Sequence, residues 1–172
     1  MKRRAVVYKG LVLAATAPLG ACGFRPLLYR ADGDTIREEL AAIEISGLGG
    51  RLGQHLEIAL DENLNPTSKR IPSRYDLAIR LTNTNNALAI QLDNTITRYN
   101  LSLTAAFELK DQAGGDLLYR SSVQRVASYN VRRAPYSTLT AQKDAERRAA
   151  EEIADDIRTL LALHFQRKAQ DA

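Results

Sequence analysis

Apolar residues between positions 52 and 64 return every three or four places: Leu52, Leu56, Ala59, Leu60 and Leu64. That spacing marks one face of an amphipathic helix. Asn65-Pro66 ends it, because proline cannot donate to the preceding turn and clashes with it. Just upstream, LAAIEIS (Leu40–Ser46) alternates weakly and reads as a strand. Downstream the period drops to two. In YDLAIRLT, Tyr75, Leu77, Ile79 and Leu81 share one face, and Asp76, Arg80 and Thr82 the other, as in a half-buried strand. ALAIQL and TITRYNLSLTAAFEL flank Asp93-Asn94 as a hairpin. Leu88, Ile90 and Leu92 alternate before the turn, and Leu101, Leu103, Ala105, Phe107 and Leu109 after it. DQAGGD turns into LLYRSSVQRVASY, a further strand. The apolar face of this sheet is opposed by Thr, Asn, Gln, Arg and Ser.

The chain closes on a second helix, from about Thr140 to Arg167. Ala145, Ala149, Ile153, Ile157, Leu160, Leu161 and His164 form its stripe, and DAERRAAEEIADDIR sets acids and bases four apart outside. Two amphipathic helices and one amphipathic sheet can bury their apolar faces only against each other. The expected fold class is therefore α+β: a two-layer sandwich, two helices on one face of a mostly antiparallel sheet of about four strands.

The N-terminal segment is different in kind. MKRRAVVYKG holds Lys2, Arg3, Arg4 and Lys9 and no acid, and an apolar run, LVLAATAPLG, follows. A basic start, a short apolar run and then small residues make a signal peptide over residues 1–21. The run is about half the ~20 residues that cross a bilayer, and Pro18 interrupts it. The leader also accounts for the charge balance. The chain has 24 bases, 20 acids and a net charge of +4. Without the leader's four bases the body is formally neutral, and the basic balance no longer points to nucleic acid. The body is divided as residues 22–38, an N-terminal tether; 39–168, a single α+β domain; and 169–172, a tail.

Cys22, the one cysteine of the chain, rules out an internal disulfide. It lies before any fold begins, and its neighbours offer nothing to lower a thiol pKa. Leu19-Gly20-Ala21-Cys22 instead resembles the bacterial lipobox, in which cleavage precedes a cysteine that takes a diacylglycerol and an N-acyl chain. Each buried methylene contributes about 0.8 kcal/mol, so several chains would hold the protein at a membrane. Gly23, where an aspartate would favour inner-membrane retention, suits sorting to the outer membrane in that lipoprotein class.

Motifs for chemistry are few. GLGGRLG (Gly47–Gly53) follows a strand and opens a helix, but Leu52 stands where a G-x-G-x-x-G loop needs glycine. It reads as a tight turn, and the antiparallel hairpin pattern after the helix argues against parallel βαβ units. His55 and His164 fall on separate helices without metal-ligand spacing. No G-x-S-x-G elbow occurs, and Glu151-Glu152 and Asp155-Asp156 sit on a charged helix face. No catalytic constellation and no metal site emerge, and no cofactor is expected beyond the acyl groups on Cys22. Bases interleave with tyrosines at Arg98-Tyr99, at Tyr119-Arg120 and in YNVRRAPY (Tyr129, Arg132, Arg133, Tyr136). This suits either solvated strand faces or a groove for an anionic, partly apolar ligand.

LGACGFRPLLY, the order strand, helix, long strands, helix, and the terminal DAERRAAEEIADDIRTLLALHF together resemble the LptE family of lipopolysaccharide-assembly lipoproteins, over essentially the whole chain. The resemblance implies a non-enzymatic protein anchored on the periplasmic side of the outer membrane. It would plug the LptD β-barrel, help that barrel assemble, and assist insertion of lipopolysaccharide into the outer leaflet. Charge and position single out Arg98, Arg132, Arg133 and Lys143 as lipopolysaccharide contacts. The competing expectation is a lipid-binding or ABC-transport auxiliary lipoprotein that works without a barrel.

Overall fold

The computed structural model describes residues 31–68, 71–90, 96–131 and 134–171. The expected signal peptide (residues 1–21), Cys22, the expected turn at Asp93-Asn94, Arg132, Arg133 and Ala172 lie outside them. The elements run α1 (Ala31–Ala41), β1 (Ile43–Ser46), α2 (Gly50–Leu64), β2 (Tyr75–Ile90), β3 (Ile96–Asp111), β4 (Leu117–Asn130) and α3 (Pro135–Asp171). The strands form one sheet in the order β1-β2-β3-β4. The helices lie against one face of it, so the architecture is α+β in two layers.

The alternation read from the sequence is the alternation of burial. Leu77, Ile79, Leu101, Leu103, Ala105, Phe107 and Leu109 point into the core, where they meet Leu56, Leu60, Ile153, Ile157 and Leu161. Each such large side chain taken fully out of water contributes roughly 1.5–3 kcal/mol. α3 has 37 residues, about 55 Å at 1.5 Å per residue, and runs the length of the sheet. Its buried stripe is rich in small residues, with Ala145, Ala149, Ala150, Ala154 and Ala162 all inside. Short side chains let the helix axis approach its neighbours closely. Pro135 begins it, which suits proline because a first-turn amide has no partner to lose. Leu160 and His164, read on the same stripe, are half-buried at its margin.

Four features differ from the expectation. A third helix, α1, occupies part of the stretch read as a tether, and the strand begins at Ile43 rather than Leu40. Ile36 and Leu40 are buried against α2 and α3 and anchor α1 into the domain. β1 pairs with β2 in parallel, from Ile43↔Tyr75 to Ser46↔Ala78, so β1-α2-β2 is a crossover unit and the sheet is mixed. The other two pairings are antiparallel. YDLAIRLT and ALAIQL belong to one sixteen-residue strand, and past Leu81 it leaves the cover of the helices, with residues 82–88 exposed. Leu88 is therefore at the surface, 56% exposed, beside a register shift between Ala87 and Ala89 that interrupts the pairing with β3.

GLGGRLG is the strand-to-helix turn expected of it. Gly47 and Gly50 take φ of +81° and +71°, a region glycine enters without a side-chain clash. The β3–β4 turn is held by Asp111, whose Oδ1 accepts amide hydrogen bonds from Ala113 (2.8 Å) and Gly114 (3.3 Å).

Candidate functional site

The sheet surface away from the helices carries the candidate site. Because side chains alternate across a strand, burying the odd positions of β2 and β3 obliges the even ones to face outward: Arg80 and Thr82 on β2, Ser102, Thr104 and Glu108 on β3. On β4, Arg120, Ser122, Gln124 and Ser128 stand beside them, with Glu108↔Arg120 and Thr104↔Gln124 as direct cross-strand neighbours.

The polar groups bond across the strands and form a continuous pavement. Gln124 Nε2 donates to Ser102 Oγ at 2.7 Å, and Ser128 Oγ to Asn100 Oδ1 at 2.6 Å. Arg120 Nη2 lies 2.7 Å and Lys110 Nζ 3.4 Å from the Glu108 carboxylate. Partial desolvation pushes the Glu108 carboxyl up, but Arg120 and Lys110 outweigh it and hold the group below the usual carboxylate range. Beside this cluster, small side chains at Ala78, Ala106 and Ser122 form the floor of an open depression of about 930 Å³, bounded by Arg80 and the Gly47–Gly49 turn.

The interleaved bases and tyrosines do not converge. Tyr99 and Tyr129 lie on the helix side of the sheet, stacked at 5.6 Å between centroids. Burial, and then the neighbouring Tyr99 and Glu146, push the Tyr129 phenol above its ordinary pKa. Tyr119 packs against Phe107 and His164 on that same side. Arg98 and Arg120 alternate onto the opposite face. For Tyr99, Tyr119 and Tyr129 the interleaving is thus strand alternation, with these aromatics inward and Arg98 and Arg120 outward; Tyr136 lies instead on α3, 81% exposed.

Arg98 is exposed and pairs across the strands with Asn130, the last residue of β4. Lys143 is exposed on α3. Arg132 and Arg133 fall outside the described residues. Reading the sequence missed Arg125, which stands on the core side opposite Leu103 and reaches Asp156 of α3 at 2.5 Å. Its odd position in β4 was the available signal. Among the described residues, no group of three or more His, Cys, Asp or Glu is placed to hold a metal. No described helix is long and apolar enough to cross a membrane.

A lipoprotein from Caulobacter crescentus CB15 has a similar structure, with a TM-score of 0.66 at 28% identity over 78% of this chain and 97% of that one. Rare lipoprotein B from Shewanella oneidensis shares the fold at a TM-score of 0.54 and 12% identity, over 76% of this chain and 97% of the other. A minor lipoprotein from Acinetobacter baumannii gives 0.50 at 21%, over 70% and 88%. No curated protein matches the sequence. The family model for LptE, described as lipopolysaccharide-assembly, matches residues 36–161. That span takes in most of α1, all four strands and α2, and α3 as far as Leu161; the chain belongs to the LptE family of lipopolysaccharide-assembly proteins.

Proposed function

We propose that this protein is a non-enzymatic outer-membrane lipoprotein that seats inside the LptD β-barrel, supports its assembly and assists insertion of lipopolysaccharide. The diacylglycerol and N-acyl chain on Cys22 hold it in the inner leaflet, with the domain on the periplasmic side. The observation that carries the reading is the open, hydrogen-bonded polar face of β2–β4 in a chain of this family. Large barrels have polar interiors, and some are filled by a plug. The hydroxyl and amide side chains of this face can lie against such a wall with their hydrogen bonds made across the strands, and Glu108 is already paired with Arg120 and Lys110. Arg98, Arg132, Arg133 and Lys143 are the proposed contacts for the anionic groups of lipopolysaccharide.

Affinity purification of the full-length protein from detergent-solubilised outer membrane tests this. Recovery with an outer-membrane barrel supports the plug. Recovery as a free monomer with bound lipid would favour the barrel-independent auxiliary.

A further inference from the structure

At the end of the domain far from the β2–β3 hairpin tip, Tyr119, His164, Arg167, Lys168 and Asp171 line a shallow cleft of about 510 Å³. The His164 ring is fixed on two sides: Tyr119 stacks on it at 5.0 Å, and Phe165 meets it edge-on at 5.5 Å. Among the described residues, neither imidazole nitrogen has a hydrogen-bond partner, and neither is a buried unsatisfied atom. An oriented imidazole with open nitrogens is thus presented at the cleft surface.

One turn further along α3 come Arg167 and Lys168. Arg167 uses Nε to bond the Leu163 carbonyl at 3.2 Å, which orients the guanidinium and leaves its Nη groups for other partners. Lys168 lies over the Tyr75 ring, with Nζ 6.0 Å from the centroid. Arg74 also lies over that ring but is paired with Glu39 at 3.0 Å. Asp171 is the one acid lining the cleft, against two permanent cations. Burial, and then Lys168 and Arg167, depress the His164 pKa below its ordinary value, as expected where positive potential is not neutralised from within the protein.

We propose that this cleft is a binding site for a phosphate-class anion, with Arg167, Lys168 and His164 as donors and the Tyr119 ring as its wall. Guanidinium and ammonium groups supply charge-assisted hydrogen bonds to phosphate oxygens, and the clamped imidazole adds a directional donor once protonated. The cations also suit a helix C-terminus, but a purely dipolar role would not require His164 to be oriented with its nitrogens open. This site is separate from the polar sheet face and does not depend on the plug reading.

The chain has two histidines, so histidine-selective NMR of the full-length lipoprotein in zwitterionic detergent gives an internal control in His55. One arm adds inorganic phosphate at constant ionic strength against chloride. A second replaces zwitterionic lipid with phosphatidylglycerol in phosphate-free nanodiscs. The site predicts a saturable rise in the His164 pKa of about half a unit in at least one arm, with His55 unmoved and the response lost in Arg167→Gln/Lys168→Gln. Response to phosphate alone identifies a soluble phosphorylated ligand. Response to the anionic lipid alone identifies a headgroup. Response in neither arm, or an equal response in the double variant, overturns the proposal.

Discussion

The Tyr75 hydroxyl, at the first residue of β2, donates a 2.6 Å hydrogen bond to Glu39 of α1. Tyr75 also packs against Phe165 near the end of α3, 5.2 Å between centroids. One side chain thereby joins the first helix, the sheet and the last helix. Burial, then the hydrogen bond and charge of Glu39, push its pKa up to about 12. The folded value lies above the unfolded value of about 10, so the stabilisation is complete below pH 10. It is lost as pH rises from about 10 to 12, by about 2–3 kcal/mol. Tyr75→Phe should cost about 1 kcal/mol at neutral pH. Urea unfolding across pH should show the wild type losing its advantage above pH 10 and falling below Tyr75→Phe by about pH 12, because the variant has no phenol to ionise in the core.

Among the described residues, Glu146 is the buried charged residue of the core, 4% exposed. It accepts from Arg51 Nη2 at 2.5 Å and from Gln142 Nε2 at 2.9 Å, tying the start of α2 to α3. Arg51→Ala leaves a carboxylate buried with only the amide. It should destabilise the domain by about 1–3 kcal/mol, and more than Glu146→Leu, which removes the charge needing a partner. Denaturant midpoints of the two variants check the order.

Gly47 combines positive φ with a tight approach: a Cβ there would meet the Ile79 carbonyl oxygen at 3.0 Å. Gly115 has a similar φ of +72° and nothing within 4 Å. Gly47→Ala should therefore cost about 2–3 kcal/mol and Gly115→Ala about 1 kcal/mol. Thermal unfolding of both variants separates the backbone cost from the clash.

The mature protein should begin at Cys22 and carry three acyl chains. Intact-mass measurement of the membrane-extracted chain reads this directly. Cys22→Ser should leave the leader uncleaved or the chain unlipidated, and a wild-type chain with a free thiol at Cys22 would contradict it.

What the sequence revealed was set by periodicity. The inward row of β3 from Leu101 to Leu109 and the α3 stripe from Ala145 to Leu161 were legible because each buries one face against a single opposing layer. α1 was not, because Asp32-Gly33-Asp34 reads as a turn and only Ile36 and Leu40 give it an apolar side. Its place is set by the burial of those two and by the bond from Tyr75 to Glu39, partners thirty-six positions apart in sequence. The parallel partner of β1 was hidden for a related reason: alternation reports which face is buried, not which direction a neighbouring strand runs. The polar face of the sheet was legible as a row of outward residues. The cleft at His164 was not, since its members meet only when the end of α3 lies across the start of β4.

The central claim, that the open polar face seats against a barrel wall, is tested most directly by photo-crosslinking in cells. A photoreactive amino acid is placed singly at Thr104, Ser122 or Gln124 in the full-length lipoprotein. The account predicts an ultraviolet-dependent adduct with the LptD barrel from these positions. A correctly folded, lipidated protein that forms no barrel adduct from any of the three would contradict it.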